Sequence, residues 1–198
     1  MSRPGPDQLA ALQAGEPQAV GAFYREHARL VLGWCIRLGG PGLDHEDLAH
    51  SVFEAALKRL PSYRGESSIS TWLYGITRRV LANQRRRAAF RRVLGMSQIP
   101  EPRSAISTEA EAARIRRRRA IQHALERLNE AQRELIVLCD LEGRTAPEVA
   151  AMLGIPAGTV YSRQHKARRL FREALEAEGI TECEGELVLL PSHGSEAS

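Results

Sequence analysis

The stretch Leu141–Phe171 constrains the fold of this chain more than any other, because it has the pattern of two short helices joined by a glycine turn. Thr145 and Glu148 have the spacing of a capping box, which predicts a helix start. Gly154 is placed to end that helix. The helix that follows carries several basic residues. The pattern predicts a helix-turn-helix suited to the DNA major groove, and the alternative is an ordinary helical hairpin with a solvated basic face.

The charge of the chain is unevenly distributed. Of its 198 residues, 28 are Lys or Arg and 24 are Asp or Glu, which gives a formal net charge of +4. Seven of the acidic residues lie from Glu173 onward, where there is no Lys or Arg, so residues 1–172 carry a net charge of +11. A basic body with an acidic tail predicts a polyanion as partner of the body. The low aromatic content and the absence of alternating strand patterns predict an all-α protein.

The cysteines and the apolar runs exclude several other classes. Cys35, Cys139 and Cys183 are odd in number and form no CxxC pair, so neither a disulfide framework nor a metal site is expected, and no cofactor is expected. Residues 1–20 lack the apolar segment of a signal peptide. No run approaches the length of a membrane span, so we expect a cytoplasmic protein without membrane insertion.

Two helical blocks flank a stretch rich in Pro, Ser and Gly. We predict a first domain at residues 1–94, whose helices begin near Pro17, a flexible linker at 95–110, a second domain at 111–177 and an acidic tail at 178–198. Composition leaves open whether the tail is disordered or docks on another surface.

An arginine run marks the first block as a second nucleic-acid surface. Between Gly75 and Arg92 there are seven arginines and no acidic residue, and phosphates are the usual partners of such a segment. A loop with Tyr63 and Trp72 lies just upstream, and aromatic rings beside a cationic helix suit unstacked bases. The alternative is that Trp72 and Tyr74 belong to the core and the arginines form a solvated face.

Both blocks resemble parts of one protein family. Asp47–Arg87 resembles region 2 of bacterial sigma factors, and Ala124–Leu175 resembles region 4. The two-domain layout without a region 3 is similar to that of the extracytoplasmic-function (ECF) group of the sigma-70 family. The resemblance implies two small helical domains joined by a linker, the second a helix-turn-helix domain of the winged-helix-like superfamily. It also implies a non-catalytic subunit that brings core RNA polymerase to promoters, melts the -10 element and reads the -35 element. An anti-sigma factor is the further partner expected.

The resemblance also assigns residues. The segment that would dock on core polymerase contributes Asp47, Leu48, His50, Ser51 and Phe53, although its apolar members also have the spacing of a domain core. The loop that would hold a flipped -10 base, with the helix after it, contributes Tyr63, Ser67, Ser68, Trp72, Arg78, Arg79, Arg85 and Arg86. The helix that would read the -35 element contributes Thr159, Tyr161, Ser162, Arg163, His165, Lys166 and Arg168.

This chain departs from the family pattern at several of these positions. His50 stands where Gln is usual, and Gly75 and Arg79 lie in a run where the family has Arg and Asn, so the -10 preference is expected to differ. Gln164 takes a place in the apolar stripe where Leu or Ile is common, which predicts a weaker packing contact.

Two other functions compete with the sigma-factor hypothesis. A stand-alone helix-turn-helix regulator would need no single-strand-binding module, so the Asp47–Arg87 block speaks against it. An enzyme using Cys35 with His27 or His45 would need a group to orient the histidine, and the sequence offers none.

Overall fold

The structure is a computed structural model that describes residues 5–40, 42–93 and 109–180, with side chains omitted at 6, 91–93, 109, 110 and 112. The chain divides into two compact units, residues 1–101 and 102–198. All regular elements in the described ranges are helical, which confirms the predicted all-α class. Most of the predicted linker and of the predicted acidic tail, including Cys183, falls outside these ranges. None of the described helices is both long and apolar enough to cross a bilayer.

The first unit contains four helices in its described part, with a 3₁₀ turn after the third. Their bounds are α1 Pro6–Gln13, α2 Pro17–Gly39, α3 His45–Arg59, the turn Leu60–Ser62, and α4 Ile69–Val93. Sequence analysis started the helices near Pro17 and missed α1. That helix has only eight residues, too few to show a clear apolar periodicity, but it buries Leu12 to 3% exposure.

Helices α2, α3 and α4 pack around a core of large apolar side chains. Trp34 of α2 and Tyr74 of α4 are fully buried, and their rings meet edge to face with centroids 5.1 Å apart. Asp44 begins α3 as predicted, because its carboxylate accepts hydrogen bonds of 3.0 Å from the backbone N–H groups of Glu46 and Asp47. This cap fixes the start of the helix that carries the predicted polymerase-docking residues.

Between residues 109 and 180, the second unit contains four α-helices and a π-helical turn. Their bounds are α5 Glu109–Glu126, α6 Glu130–Leu135, the π turn Ile136–Leu141, α7 Ala146–Leu153, and α8 Ala157–Ala177. The π turn continues α6 and buries three of its residues completely: Ile136, Val137 and Leu138. Sequence periodicity did not reveal it, because a single wider turn alters the register by only one residue.

The end of α5 is held by a side chain from the next helix. The Arg133 guanidinium donates to the carbonyl oxygens of Leu125 at 2.8 Å, Glu126 at 3.3 Å and Leu128 at 3.1 Å. These carbonyls have no partner within α5 itself, and a cation is favourable at a helix C-terminus. The contact ties α5 to the helices that position the helix-turn-helix.

Candidate nucleic-acid interface

The predicted helix-turn-helix is formed by α7 and α8. Glu148 accepts hydrogen bonds from the Thr145 backbone N–H at 2.8 Å and from the Thr145 hydroxyl at 2.7 Å, and these bonds lower the pKa of its carboxyl. Gly154 has φ +68°, and its N–H donates to the Ala150 carbonyl at 2.9 Å. A side chain at that φ would be strained, so glycine is what allows α7 to end here.

Helix α8 has a buried face and an exposed face. Val160, Ala167 and Phe171 are buried as predicted, and Leu170 is half-buried. The predicted -35 residues lie on the opposite face. Thr159 is half-buried, and six are exposed: Tyr161, Ser162, Arg163, His165, Lys166 and Arg168. Tyr161 is 61% exposed. This face presents two rings, two hydroxyls and three cationic groups to solvent.

One predicted phosphate contact has a partner inside the domain. Arg168 forms an ion pair with Asp140 of the π turn, with its Nε donating to Oδ1 at 2.6 Å, while 56% of its side chain stays exposed. Gln164 donates to the same oxygen at 3.3 Å. Gln164 therefore occupies its place in the apolar stripe as a hydrogen-bond donor to a half-buried carboxylate.

The aromatic loop of the first unit is built around a ring pair. Tyr63 is only 6% exposed, and its hydroxyl donates to the Ser67 carbonyl at 2.5 Å across the loop. Trp72 is half-buried with its ring centroid 4.9 Å from that of Tyr63. Both rings support the loop from inside, so Tyr63 differs from the sequence expectation of a side chain open to DNA.

Other predicted loop residues also hold the local structure. Ser68 precedes α4, and its hydroxyl accepts a 3.2 Å hydrogen bond from the Thr71 N–H, which makes it the N-cap. Ser67 is half-buried and contributes its carbonyl to Tyr63. Gln13 of α1 donates to the carbonyls of Leu60 at 3.1 Å and Tyr63 at 2.8 Å. Sequence reasoning missed Gln13, because it lies fifty residues from the loop that it supports.

The arginines of α4 fall into two groups. Arg79, Arg86 and Arg87 are exposed, and Arg86 bonds to the Asn83 side chain. Arg78 and Arg85 are half-buried, and Arg85 donates to the Leu38 carbonyl at the end of α2. Arg85 thus holds α4 against α2, a role that the sequence did not suggest. The side chains of Arg91 and Arg92 are outside the described residues.

Some of the predicted polymerase-docking residues are buried and others are exposed. Leu48 and Phe53 lie in the core, with the Phe53 ring 4.6 Å from that of Tyr24, which agrees with the alternative drawn from their spacing. Asp47 and His50 are exposed and Ser51 is half-buried. Of the five predicted docking residues, these last three have side chains that can touch a partner while α3 stays packed.

The two cysteines among the described residues, Cys35 and Cys139, are buried free thiols. Burial raises the pKa of the Cys35 thiol to about 12 and that of Cys139 to about 11, the latter with help from the Asp140 carboxylate. A thiol that stays protonated is a poor nucleophile. In the described part of the chain, no group of three or more His, Cys, Asp and Glu side chains could hold a metal ion. An arginine-rich helix in one unit and a helix-turn-helix in the other are the features of a DNA-binding protein.

Comparison with known proteins gives the family. Residues 23–91 match the family model of sigma-70 region 2, and residues 118–171 match that of sigma-70 region 4. The ECF RNA polymerase sigma factor SigL of Mycobacterium tuberculosis is 30% identical over 177 residues, covering 88% of this chain and 98% of SigL. The RNA polymerase sigma factor NccH of Alcaligenes xylosoxydans is 28% identical over 192 residues, covering 91% and 100%.

Two solved structures have a fold similar to that of this chain. CnrH, solved in complex with the cytosolic domain of CnrY, superposes with a TM-score of 0.62 at 25% identity, covering 86% of this chain and 96% of CnrH. The sigma factor RpoE of Bartonella quintana, solved with the anti-sigma factor NepR, has the same fold with a TM-score of 0.59 at 24% identity, covering 78% and 97%. The chain belongs to the ECF group of sigma-70 RNA polymerase sigma factors. Its function is that of a sigma factor, which directs RNA polymerase to promoters.

Proposed function

We propose that the two units divide promoter recognition between duplex and single-stranded DNA. The second unit reads the -35 element as duplex through the exposed face of α8, and the first unit holds the -10 element as single strand at the loop before α4. The observation that carries the proposal is the exposure of Tyr161, Arg163 and Lys166 on α8, the second helix of the helix-turn-helix.

Base reading at the -35 element falls to the side chains near the start of α8. Arg163 and Lys166 have the chemistry to meet guanine edges in the major groove, which contributes about 1–3 kcal/mol of discrimination for a well-placed pair. Tyr161, Ser162 and His165 add contacts that depend on the base. Thr159 and Arg168 contact phosphates, which fix register without reading sequence.

Recognition at the -10 element uses the loop itself rather than the ring pair that supports it. Tyr63 and Trp72 give the loop its shape, and a flipped base enters between the loop and α4. Support comes from Gly75, where an added Cβ would meet nothing within 4 Å. Gly75 and Arg79 are one turn apart on α4, so the missing side chain leaves space beside an exposed guanidinium. Arg79 would then contact the backbone or a guanine in that space, and Arg86 would neutralise phosphates.

Core polymerase is proposed to dock on the exposed side of α3. Asp47, His50 and Ser51 supply the contact that the family resemblance implies. Glu54 and Leu57 extend that face by two turns, and Leu57 is 39% exposed although it is apolar. Sequence reasoning did not include these two residues, because it stopped at the family motif.

Several further properties are proposed from the family. The chain acts without catalysis of its own, since the polymerase performs the chemistry, and it works in the cytoplasm, where polymerase is found. An anti-sigma factor is expected to cover these surfaces; RpoE was solved with such a partner, which supports the expectation by analogy. Residues 95–110 are proposed as a flexible linker and residues 178–198 as an acidic tail of separate role.

The test is run-off transcription with core polymerase on a pool of genomic fragments. The proposal predicts discrete transcripts that require this chain and share two spaced upstream elements. A chain that binds duplex DNA but does not associate with core polymerase at any concentration would instead support a stand-alone regulator. If the chain bound polymerase but showed no preference for a -35 sequence, the role proposed for α8 would be wrong.

A further inference from the structure

A carboxylate lies against the proposed DNA-reading helix, where it would be expected to repel phosphates. Asp140 belongs to the π turn that precedes α7, and its side chain is 14% exposed. Its Oδ2 atom is inaccessible to solvent and has no hydrogen-bond partner in the described part of the chain. A group that is partly buried at this cost calls for a reason. π turns are rare and often mark functional positions.

All described contacts of this carboxylate converge on one oxygen. Oδ1 accepts from Nε of Arg168 at 2.6 Å, from Nη2 of Arg168 at 2.5 Å, and from Nε2 of Gln164 at 3.3 Å. Gln164 and Arg168 are one turn apart on α8, so both reach the same point from one face. Asp140 lies in the π turn before α7, 28 residues from Arg168 along the chain, so the contact joins two different elements.

Only part of the Arg168 guanidinium contacts Asp140. A guanidinium has five N–H donors in a fixed plane, and the contact with Asp140 uses only the edge formed by Nε and Nη2. More than half of the side chain remains exposed on the face that carries the proposed -35 residues. An arginine that is already held in one orientation loses less side-chain freedom when it binds a phosphate.

We propose that Asp140 is a positioning residue for DNA binding: it holds the Arg168 guanidinium ready for a backbone phosphate, and Gln164 is the second donor that fixes the carboxylate. This inference rests on the proposed DNA-reading role of α8. It assigns a function to two residues, Asp140 and Gln164, that the sequence analysis did not place in any binding site.

A positioning role and a purely electrostatic role for Asp140 predict opposite changes in DNA affinity when its charge is removed. If Asp140 acted only as a negative charge near DNA, its neutralisation would tighten binding of a polyanion. If Asp140 positions Arg168, the same neutralisation weakens binding, because Asn holds the guanidinium less firmly. The effect is independent of sequence, since a phosphate contact is the same on every duplex. The test therefore needs no known promoter.

The experiment measures the affinity of the full chain for a short duplex of mixed sequence over a range of salt concentrations. Asp140→Asn is expected to weaken binding about 3- to 10-fold and to reduce the salt slope by about 1, the value for one lost phosphate contact. The matched control is Glu173→Gln, which removes a carboxylate 3.8 Å from Arg169 on the same helix, where both side chains are largely exposed. The control is expected to bind as tightly as the unchanged protein.

A double-mutant cycle with Arg168→Gln separates positioning from a general structural loss. Asp140→Asn should have no further effect once Arg168 is gone. Tighter or unchanged binding by Asp140→Asn, or an equal loss in the Arg168→Gln background, would overturn the proposal. Thermal unfolding of each variant is followed alongside. If Asp140→Asn does not fold, Gln164→Leu takes its place, with a smaller loss that must also vanish without Arg168.

Failure of the proposed function has a different signature. Arg163→Gln with Lys166→Gln should weaken binding whether or not Asp140 has a positioning role. If that pair has no effect, α8 does not contact DNA, and the proposed -35 role fails together with this inference. If the pair weakens binding and Asp140→Asn does not, only the positioning role is wrong.

Discussion

The two candidate DNA surfaces of this sigma factor differ in how much of their chemistry is already exposed. On α8, Tyr161, Arg163 and Lys166 project from a packed helix into solvent. In the loop before α4, Tyr63 is buried and Ser68 serves as a helix cap. The surface on α8 already exposes the side chains that would contact DNA. In the loop before α4, most of the predicted side chains instead hold the loop in shape, and few are exposed.

The difference follows from the form of DNA that each surface is proposed to bind. A duplex groove is a regular shape that a rigid helix can meet without rearrangement. An unstacked base must be extruded, which costs a few kcal/mol, and a shaped pocket has to offset that cost. A frame built from Tyr63, Trp72 and Gln13 suits a pocket, because it keeps the backbone of the loop in place.

The largest effect is expected from removing the frame. Tyr63→Ala should lower the free energy of unfolding of the first unit by about 3–5 kcal/mol, since a buried ring and its hydrogen bond are lost. Tyr63→Phe keeps the ring and should cost about 1 kcal/mol. Denaturant unfolding and promoter opening are measured together. An Ala variant of unchanged stability that fails to open promoters would show instead that the ring contacts DNA.

The next effect is expected on α4. Arg86→Gln with Arg87→Gln should weaken promoter opening several-fold without changing the preferred sequence, because phosphate contacts do not read bases. The salt dependence of single-strand binding should fall by about 0.7 per lost contact. Arg85 is left intact, since it bonds to the Leu38 carbonyl and its loss would disturb the fold.

The matched control for that pair is Arg25→Gln with Arg29→Gln on α2. It makes the same change in charge at exposed positions away from α4. If the two double variants lost promoter opening equally, the α4 effect would be due to net charge alone.

A more specific effect, confined to one or two base positions, is expected on α8. Tyr161→Ala or His165→Ala should change base preference at one or two positions of the -35 element, by about 1–3 kcal/mol at each. Selection from a randomised -35 library, with the unchanged protein in parallel, measures it. A uniform loss on all sequences would move these two residues to the group that contacts phosphates.

The smallest effect concerns the cap of α7. Hydrogen bonds from Thr145 lower the pKa of Glu148 in the folded chain, so this carboxylate stabilises the fold above its unfolded pKa and the gain is lost as pH falls through the folded pKa. Glu148→Ala should therefore cost about 0.5–1 kcal/mol near neutral pH and nothing in acid. Urea unfolding at several pH values checks this, and a difference that persists in acid would contradict it.

Local signals in the sequence predicted much of the fold. Asp44, the Thr145–Glu148 pair and Gly154 mark helix ends through contacts within a few residues, and the structure confirms each. The contacts that were missed join distant parts of the chain. Gln13 with the loop, Arg85 with α2, and Asp140 with α8 depend on tertiary packing, and no local pattern encodes them. Burial of Tyr63 was missed for the same reason, whereas the spacing of Phe53 had already indicated a core position.

One unit is proposed to read duplex DNA and the other to hold single-stranded DNA within one polymerase complex. This division is tested by the permanganate reactivity of thymines in a promoter, with core polymerase and this chain. Reactive thymines are expected in the -10 region only when the chain is present. Arg163→Gln with Lys166→Gln should lower promoter occupancy, whereas Arg86→Gln with Arg87→Gln should lower reactivity at full occupancy. Promoter binding with neither reactive thymines nor retained polymerase would contradict the account.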